Sequence, residues 1–232
     1  MALYTIGDLH LSLCSNKQMD VFGGGWVNYI EKITTGFSNL SAGDICVLCG
    51  DISWGMNLEE SLEDFLFIES LPGKKIILKG NHDYWWSTAA KMKAFFEANA
   101  IKSIEILQNN CFYYENIAIC GTRGWMPDEE LTSEQNEKIA NREILRLQAS
   151  LKQAEETLQK ICFFHYPPRV KSLISEGIIN LMNDYGVKNC YYGHLHGEGH
   201  RYAIRGHVDG IDYELVSADY INFTPYKINT EK

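Results

Sequence analysis

Five short segments concentrate the residues able to do chemistry. Gly7-Asp8-Leu9-His10, Gly50-Asp51-Ile52-Ser53, Gly80-Asn81-His82-Asp83, His165-Tyr166 and Gly193-His194-Leu195-His196 together hold five of the seven histidines. A hard divalent cation prefers carboxylate and carbonyl oxygen, whereas a borderline transition metal also takes neutral imidazole nitrogen. Asp8, His10, Asp51, Asn81, His165, His194 and His196 offer that mixed donor set with no thiolate among them. The mixture favours manganese, iron or zinc over magnesium alone. It suits a hydrolytic centre of two divalent ions, in which a shared water becomes acidic. In Asp8-x-His10 and His194-x-His196 the two-residue spacing puts both side chains on the same side of an extended segment, so such a pair can converge on a single centre. A lone pair of this kind is weak evidence; five loops carrying such residues are not.

These loops need strands to hold them. Apolar runs recur at Leu3–Ile6, Ile45–Leu48, Lys75–Leu78, Ile117–Cys120, Ile161–Phe164 and Asn189–Tyr192, and most end in Gly, Asp, His or Asn. Short, nearly continuous apolar runs bounded by turn residues read as strands covered on both faces, with ligand loops at their C-terminal ends. Between them lie helical patterns. Asn57 with Glu60 reads as the cap of a stretch running through Leu62, Phe65, Leu66 and Glu69, and Ser87 as the cap of a helix ending near Asn99. A longer pattern over about 129–160 spaces Ile144, Leu147, Leu151, Ala154 and Leu158 for a single apolar stripe. From Arg201 onward, Tyr202–Arg205, Tyr213–Val216 and Ile221–Tyr226 read as a terminal β-meander. No repeat, low-complexity tract or Pro-rich linker interrupts the chain, so one domain spanning 1–232 is expected.

In that chain order the motifs D-x-H, G-D, G-N-H-D, H and G-H-x-H resemble the calcineurin-like metallophosphoesterase family, from about residue 3 to residue 197. The resemblance implies an α/β fold, a four-layer α/β/β/α sandwich of two mixed sheets flanked by helices. It implies that Asp8, His10, His196 and Asp51 hold one metal, and Asn81, His165, His194 and the same Asp51 the other. It further implies a phosphomonoester or phosphodiester hydrolase in which a metal-bridging hydroxide attacks phosphorus. His82 becomes the proton donor to the leaving oxygen or a stabiliser of phosphoryl charge. Asp83 could orient that imidazole or cap the local turn.

Two departures narrow the family. Purple acid phosphatases carry a tyrosine ligand three residues after the bridging Asp, where this chain has Trp54. Ser/Thr protein phosphatases read G-N-H-E with an Arg-containing extension after G-D, where this chain has Asp83 and Gly50-Asp51-Ile52-Ser53-Trp54. What remains is the broad bacterial-type group of phosphohydrolases. Arg123, after a strand, is a candidate phosphate-binding residue or else an ion-pair partner of the acidic 128–137 stretch; Arg142 and Arg169 are weaker candidates. Trp54, Trp85, Trp86, Trp125 and Tyr166 lie near the site loops, as a stacking wall or as packing. His200 and His207 read as solvated or supporting residues.

The composition, with 45% hydrophobic residues, 12% aromatics and a net charge of −9, describes a packed globular protein that repels long nucleic acid and anionic membrane. A small phosphorylated substrate such as a nucleotide fits better. No signal peptide or membrane span is read, so a cytoplasmic protein is expected. Cys46, Cys49, Cys120, Cys162 and Cys190 sit in apolar runs as buried thiols, and a strand would point Cys46 and Cys49 to opposite faces. The rival readings are a non-catalytic metal-binding scaffold of the same fold and a nuclease.

Overall fold

Alternation inside the apolar runs sets the layers. The computed structural model describes residues 1–14, 17 and 19–230. Its first half runs β1 (Leu3–Ile6), α1 (Tyr29–Phe37), β2 (Ile45–Leu48), α2 (Leu62–Ser70), β3 (Lys74–Ile77), α3 (Ala89–Ala98) and β4 (Ile104–Ile106). The second half runs β5 (Phe112–Tyr114), β6 (Ile117–Thr122), α4 (Ser133–Lys152), β7 (Gln159–Phe164), β8 (Arg169–Val170), β9 (Leu173–Ile174) and α5 (Glu176–Asp184). It ends with β10 (Asn189–Tyr192), β11 (Gly206–Val208), β12 (Ile211–Leu215) and β13 (Tyr226–Lys227). One sheet has the order β13-β1-β2-β3-β4 and the other β11-β12-β10-β7-β6-β5. β1 to β4 are parallel, as are β6, β7, β10 and β12; β13, β5 and β11 are antiparallel to their neighbours.

Successive residues of a strand face opposite ways, and the core divides accordingly. Cys46, Leu48 and Ile77 pack under α1, α2 and α3 with Ile33, Phe37, Phe65, Ile68 and Phe96. Their neighbours Val47, Cys49 and Ile76 turn the other way, against Ile119, Ile161 and Phe163 of the facing sheet. Cys120, Cys162 and Cys190 then pack under α4 and α5 with Leu147, Leu151 and Met182. The result is the expected α/β/β/α sandwich, and it explains why the strands read as continuous apolar runs. The C-x-x-C pair does split between two layers.

Element ends differ from the sequence reading for local reasons. Asn57 Oδ1 accepts from Glu60 N at 2.9 Å, but it caps a turn, and the helix begins only at Leu62. Thr88, not Ser87, caps α3, its hydroxyl accepting from Lys91 N at 3.3 Å. The long helix is shorter than 129–160, because a capping box of Thr132 and Gln135 fixes its start and Gln153 closes it. The largest correction is at the C-terminus, which is not a meander. β12 lies parallel beside β10, residues 197–202 form a short 3-10 helix, and β13 crosses to the other sheet to pair with β1. That crossing carries residues 217–225 over the ends of the central strands.

Candidate metal centre

Every predicted ligand sits just past the C-terminal end of a central strand: Asp8 and His10 after β1, Asp51 after β2, Asn81 after β3, His165 after β7, and His194 and His196 after β10. The backbone there is unusual. Asp8, His10, Asp51 and His194 have φ of 61°, 47°, 51° and 72°, in the left-handed region that side chains other than glycine seldom adopt. Asp8 and His10 therefore converge through a tight turn, not through an extended segment as their spacing suggested. Glycine is required where loops cross: a Cβ on Gly80 would run into the Asp51 carboxylate, and one on Gly193 into that of Asp8.

The donors gather in two groups. In the first, His10 Nε2 lies 3.2 Å from His196 Nε2, and His196 Nε2 lies 3.5 Å from Asp8 Oδ1. In the second, Asn81 Oδ1 lies 2.6 Å from His165 Nε2 and 3.1 Å from His194 Nδ1, and those two nitrogens are 3.3 Å apart. Asp51 stands between them, with Oδ2 3.6 Å from His10 Nε2 and 3.6 Å from His165 Nε2. His194 and His196 thus fall into different groups, whereas their spacing alone allowed a shared centre. Donor atoms of Asp8, His10 and His196, and separately of Asp8, Asp51 and His165, all lie within 4.8 Å of one another.

The donor set fits cations. Asp8 and Asp51 are buried, and neither meets a lysine or arginine among the described residues. Burial, with Asp83 and Asp8 close by, pushes the Asp51 carboxyl well above its ordinary value. Burial holds His165 and His194 down to about 3, and with His196 nearby it holds His10 well below the ordinary value. Neutral imidazoles with free lone pairs are what a metal requires. At His196 burial is outweighed by Asp8 and Asp219, which push the ring up to about 10. These carboxylates call for positive charge at that nitrogen.

Supporting contacts hold the donors in place. His165 Nδ1 pairs with the Cys49 carbonyl at 3.0 Å, leaving Nε2 for the centre. His194 N donates to both oxygens of Asp8 at 3.1 and 3.0 Å, and His82 N donates to Asp51 Oδ1 at 2.8 Å. Asp83 caps the turns. Its carboxylate accepts from the backbone N–H of Gly80, Asp51 and Ile52 at 2.7, 2.9 and 2.8 Å, and from Trp85 Nε1 at 3.1 Å. It therefore orients the Asp51 and Asn81 loops, not the His82 ring.

A carboxylate behind the donors escaped the sequence reading. Asp219, on the crossing segment, lies with Oδ1 2.9 Å from His196 Nδ1 and accepts from Gly197 N at 3.0 Å; His200 Nε2 lies 3.2 Å from its other oxygen. A carboxylate behind a ligating imidazole fixes its orientation and raises its basicity. The signal was present, since Tyr213–Val216 is another apolar run followed by a polar loop. The meander reading placed it elsewhere.

A cavity of ≈ 700 Å³ adjoins the first group, lined by His10, His82, His196, Trp26, Trp54 and Met19 among others. The Trp54 ring stacks on His10 with centroids 5.1 Å apart and packs against His82 at 4.4 Å. Burial holds His82 below its ordinary value. Trp26 was not singled out from the sequence. Trp85 is core, edge-on to Phe65, whereas Tyr166 covers His194 with centroids 4.4 Å apart. Arg123 meets no metal donor directly. Its guanidinium lies 3.8 Å from Glu143 on α4, not against the 128–137 stretch, and rests on Trp125 and Tyr166. Arg169 pairs with Asp209 and His207 with Asp212, away from the centre.

The calcineurin-like phosphoesterase family model matches residues 1–198, the span that contains all seven donors. The chain belongs to that family. Members typically hold two divalent metals, and the two donor groups sharing Asp51 fit that arrangement. Among solved structures, the phosphopantetheinyl hydrolase of Mycobacterium tuberculosis is similar with a TM-score of 0.60 at 13% identity, over 99% of this chain and 96% of that one. The protein TT1561 of Thermus thermophilus is similar with a TM-score of 0.54 at 13% identity, over 84% of this chain and 81% of that one. At such identities the likeness is one of fold. No curated protein matches the sequence. No helix among the described residues is long and apolar enough to cross a membrane.

Proposed function

We propose that this chain is a binuclear phosphoesterase that hydrolyses a small phosphorylated molecule, with nucleotides among the candidates. The observation that carries the reading is Asp51, whose Oδ2 stands 3.6 Å from a donor nitrogen of each group. Asp8, His10, His196 and Asp51 would hold one divalent ion, and Asn81, His165, His194 and Asp51 the other, with manganese, iron or zinc suited to the donors. When bound, the pair supplies positive charge for phosphoryl oxygens and activates water as the nucleophile.

Hydrolysis makes a bond from water oxygen to phosphorus and breaks the bond to the leaving oxygen, which needs a proton. His82 borders both the donors and the large cavity, so it is placed to give that proton or to hydrogen-bond the phosphoryl group as the bond breaks. The leaving group then lies in the cavity beneath Trp26 and Trp54. The net charge of −9 argues for a small substrate over long nucleic acid or a membrane surface. The free cysteines suit the reducing cytoplasm.

The test is hydrolysis of 4-nitrophenyl phosphate and bis(4-nitrophenyl) phosphate by the manganese-loaded protein. Turnover that chelation removes and manganese restores is expected. Equal turnover after chelation, or none on a broad panel of phosphoesters, would overturn the reading.

A further inference from the structure

A second, smaller cleft lies apart from the large cavity and shares none of its lining residues. It measures about 70 Å³ and is lined by Lys79, Arg123, Arg146, Gln108 and Asn109, with Glu143 at its base. Lys79 comes from the β3 loop just before Gly80 and Asn81, Arg123 from the end of β6, and Arg146 from α4, so three elements deliver cations to one place. Glu143 balances one of them. Its carboxylate accepts from Arg146 at 2.6 Å and from the Thr122 hydroxyl at 2.6 Å, and lies 3.8 Å from Arg123. That leaves an excess of positive charge in a partly buried cleft. Lys79 forms no ion pair among the described residues, and Arg123 Nε is buried without a hydrogen-bond partner among them. Such a cluster calls for an anion.

The cleft borders the centre. The Arg123 guanidinium lies 5.9 Å from the Tyr166 ring, and that ring lies 4.4 Å from the ring of His194 and 5.2 Å from that of His165. A molecule reaching from the second donor group across Tyr166 enters it. The ≈ 700 Å³ cavity with His82 lies on the side of the first donor group. With the leaving group in that cavity, an arm that reaches the cleft is one that stays on the phosphorus. A monoester has no substituent on the retained side; a diester or diphosphate has.

We infer that the substrate is a phosphodiester or diphosphate whose retained arm carries a second anionic group, a phosphate or carboxylate, bound by Lys79, Arg123 and Arg146. The inference rests on the phosphoesterase reading for its substrate, while the anion site stands on its own contacts.

The test uses pairs of 4-nitrophenyl phosphodiesters with one leaving group and a retained alkyl arm of graded length, ending in a carboxylate or in its methyl ester. Affinity for the manganese-loaded protein and turnover are measured side by side. The carboxylate member is expected to bind roughly tenfold more tightly at its best arm length, with the difference in KM and not kcat. The preference should shrink as salt rises, disappear in Lys79→Met and return in Lys79→Arg. Lys79→Met removes no ion pair and should fold; Arg146→Met, which leaves Glu143 with Thr122 and Arg123, is the second variant and should also reduce the preference. Equal affinities for the two esters, or a preference that Lys79→Met leaves intact, would overturn the anion site. An affinity difference with turnover of neither ester would overturn the phosphoesterase reading while the anion site survived.

Discussion

The two donor groups differ in how they are held. The second, Asn81, His165 and His194, is closed to the large cavity, which none of the three lines, although Asn81 and His194 keep partial exposure: His165 is fully buried, locked by the Cys49 carbonyl behind it, and Tyr166 covers His194. The first, Asp8, His10 and His196, is open. His10 and His196 face the large cavity, and His196 is steadied by Asp219 on a segment that arrives from the other end of the chain. A site braced by the Cys49 carbonyl behind His165 suits a permanently bound ion, whereas a site facing a cavity suits an ion that meets substrate and leaving group. Chemistry and exchange are both expected on the open side.

The largest expected effect comes from removing the residue common to both groups. Asp51→Asn should abolish turnover and lower metal content at both positions, measured by elemental analysis beside a phosphoester assay; unchanged activity would erase the division into two linked groups. Next, His82→Ala should lower kcat by roughly 10²- to 10⁴-fold while both ions stay bound, because His82 lines the open side without belonging to a donor group. Loss of an ion in that variant would make His82 a ligand. Asp219→Asn should weaken only the ion of the open group, by roughly 10- to 100-fold in a competition titration with a metal chelator. An equal loss at the closed group would show that Asp219 supports the fold and not one site. The smallest effect is expected at the cavity wall: Trp26→Ala should raise KM for an aryl phosphoester roughly 2- to 10-fold and leave KM for a methyl ester unchanged.

The same contrast marks what was legible in the sequence. The seven donors are carried by five loops, each following an apolar strand, so residue type and local spacing were enough to find them, and the layered fold followed from runs buried on both faces. The division of His194 from His196 was not readable from their spacing, because His194 takes a left-handed conformation with φ of 72° that turns the loop between them. Asp219 and Trp26 were missed because each acts at a distance. Asp219 reaches His196 because the chain leaving β12 is tied to Gly7 after β1, Gly7 N donating to the Val216 carbonyl and Ala218 N to the Gly7 carbonyl, a long-range pairing that local propensity does not encode. The cationic cleft is the same kind of feature, since Arg123 and Arg146 meet through packing of α4 on β6 while Lys79 arrives from β3 of the other sheet.

The central claim is that Asp51 joins an open and a closed site into one binuclear centre. Titrating metal-free protein with manganese(II) and following the electron paramagnetic resonance spectrum tests it most directly, because two manganese ions about 3.5–4 Å apart couple magnetically. Two ions per chain with a coupled spectrum, changing to uncoupled or lost signals in Asp51→Asn, is the expected result. A single ion, or two ions that never couple, would contradict it.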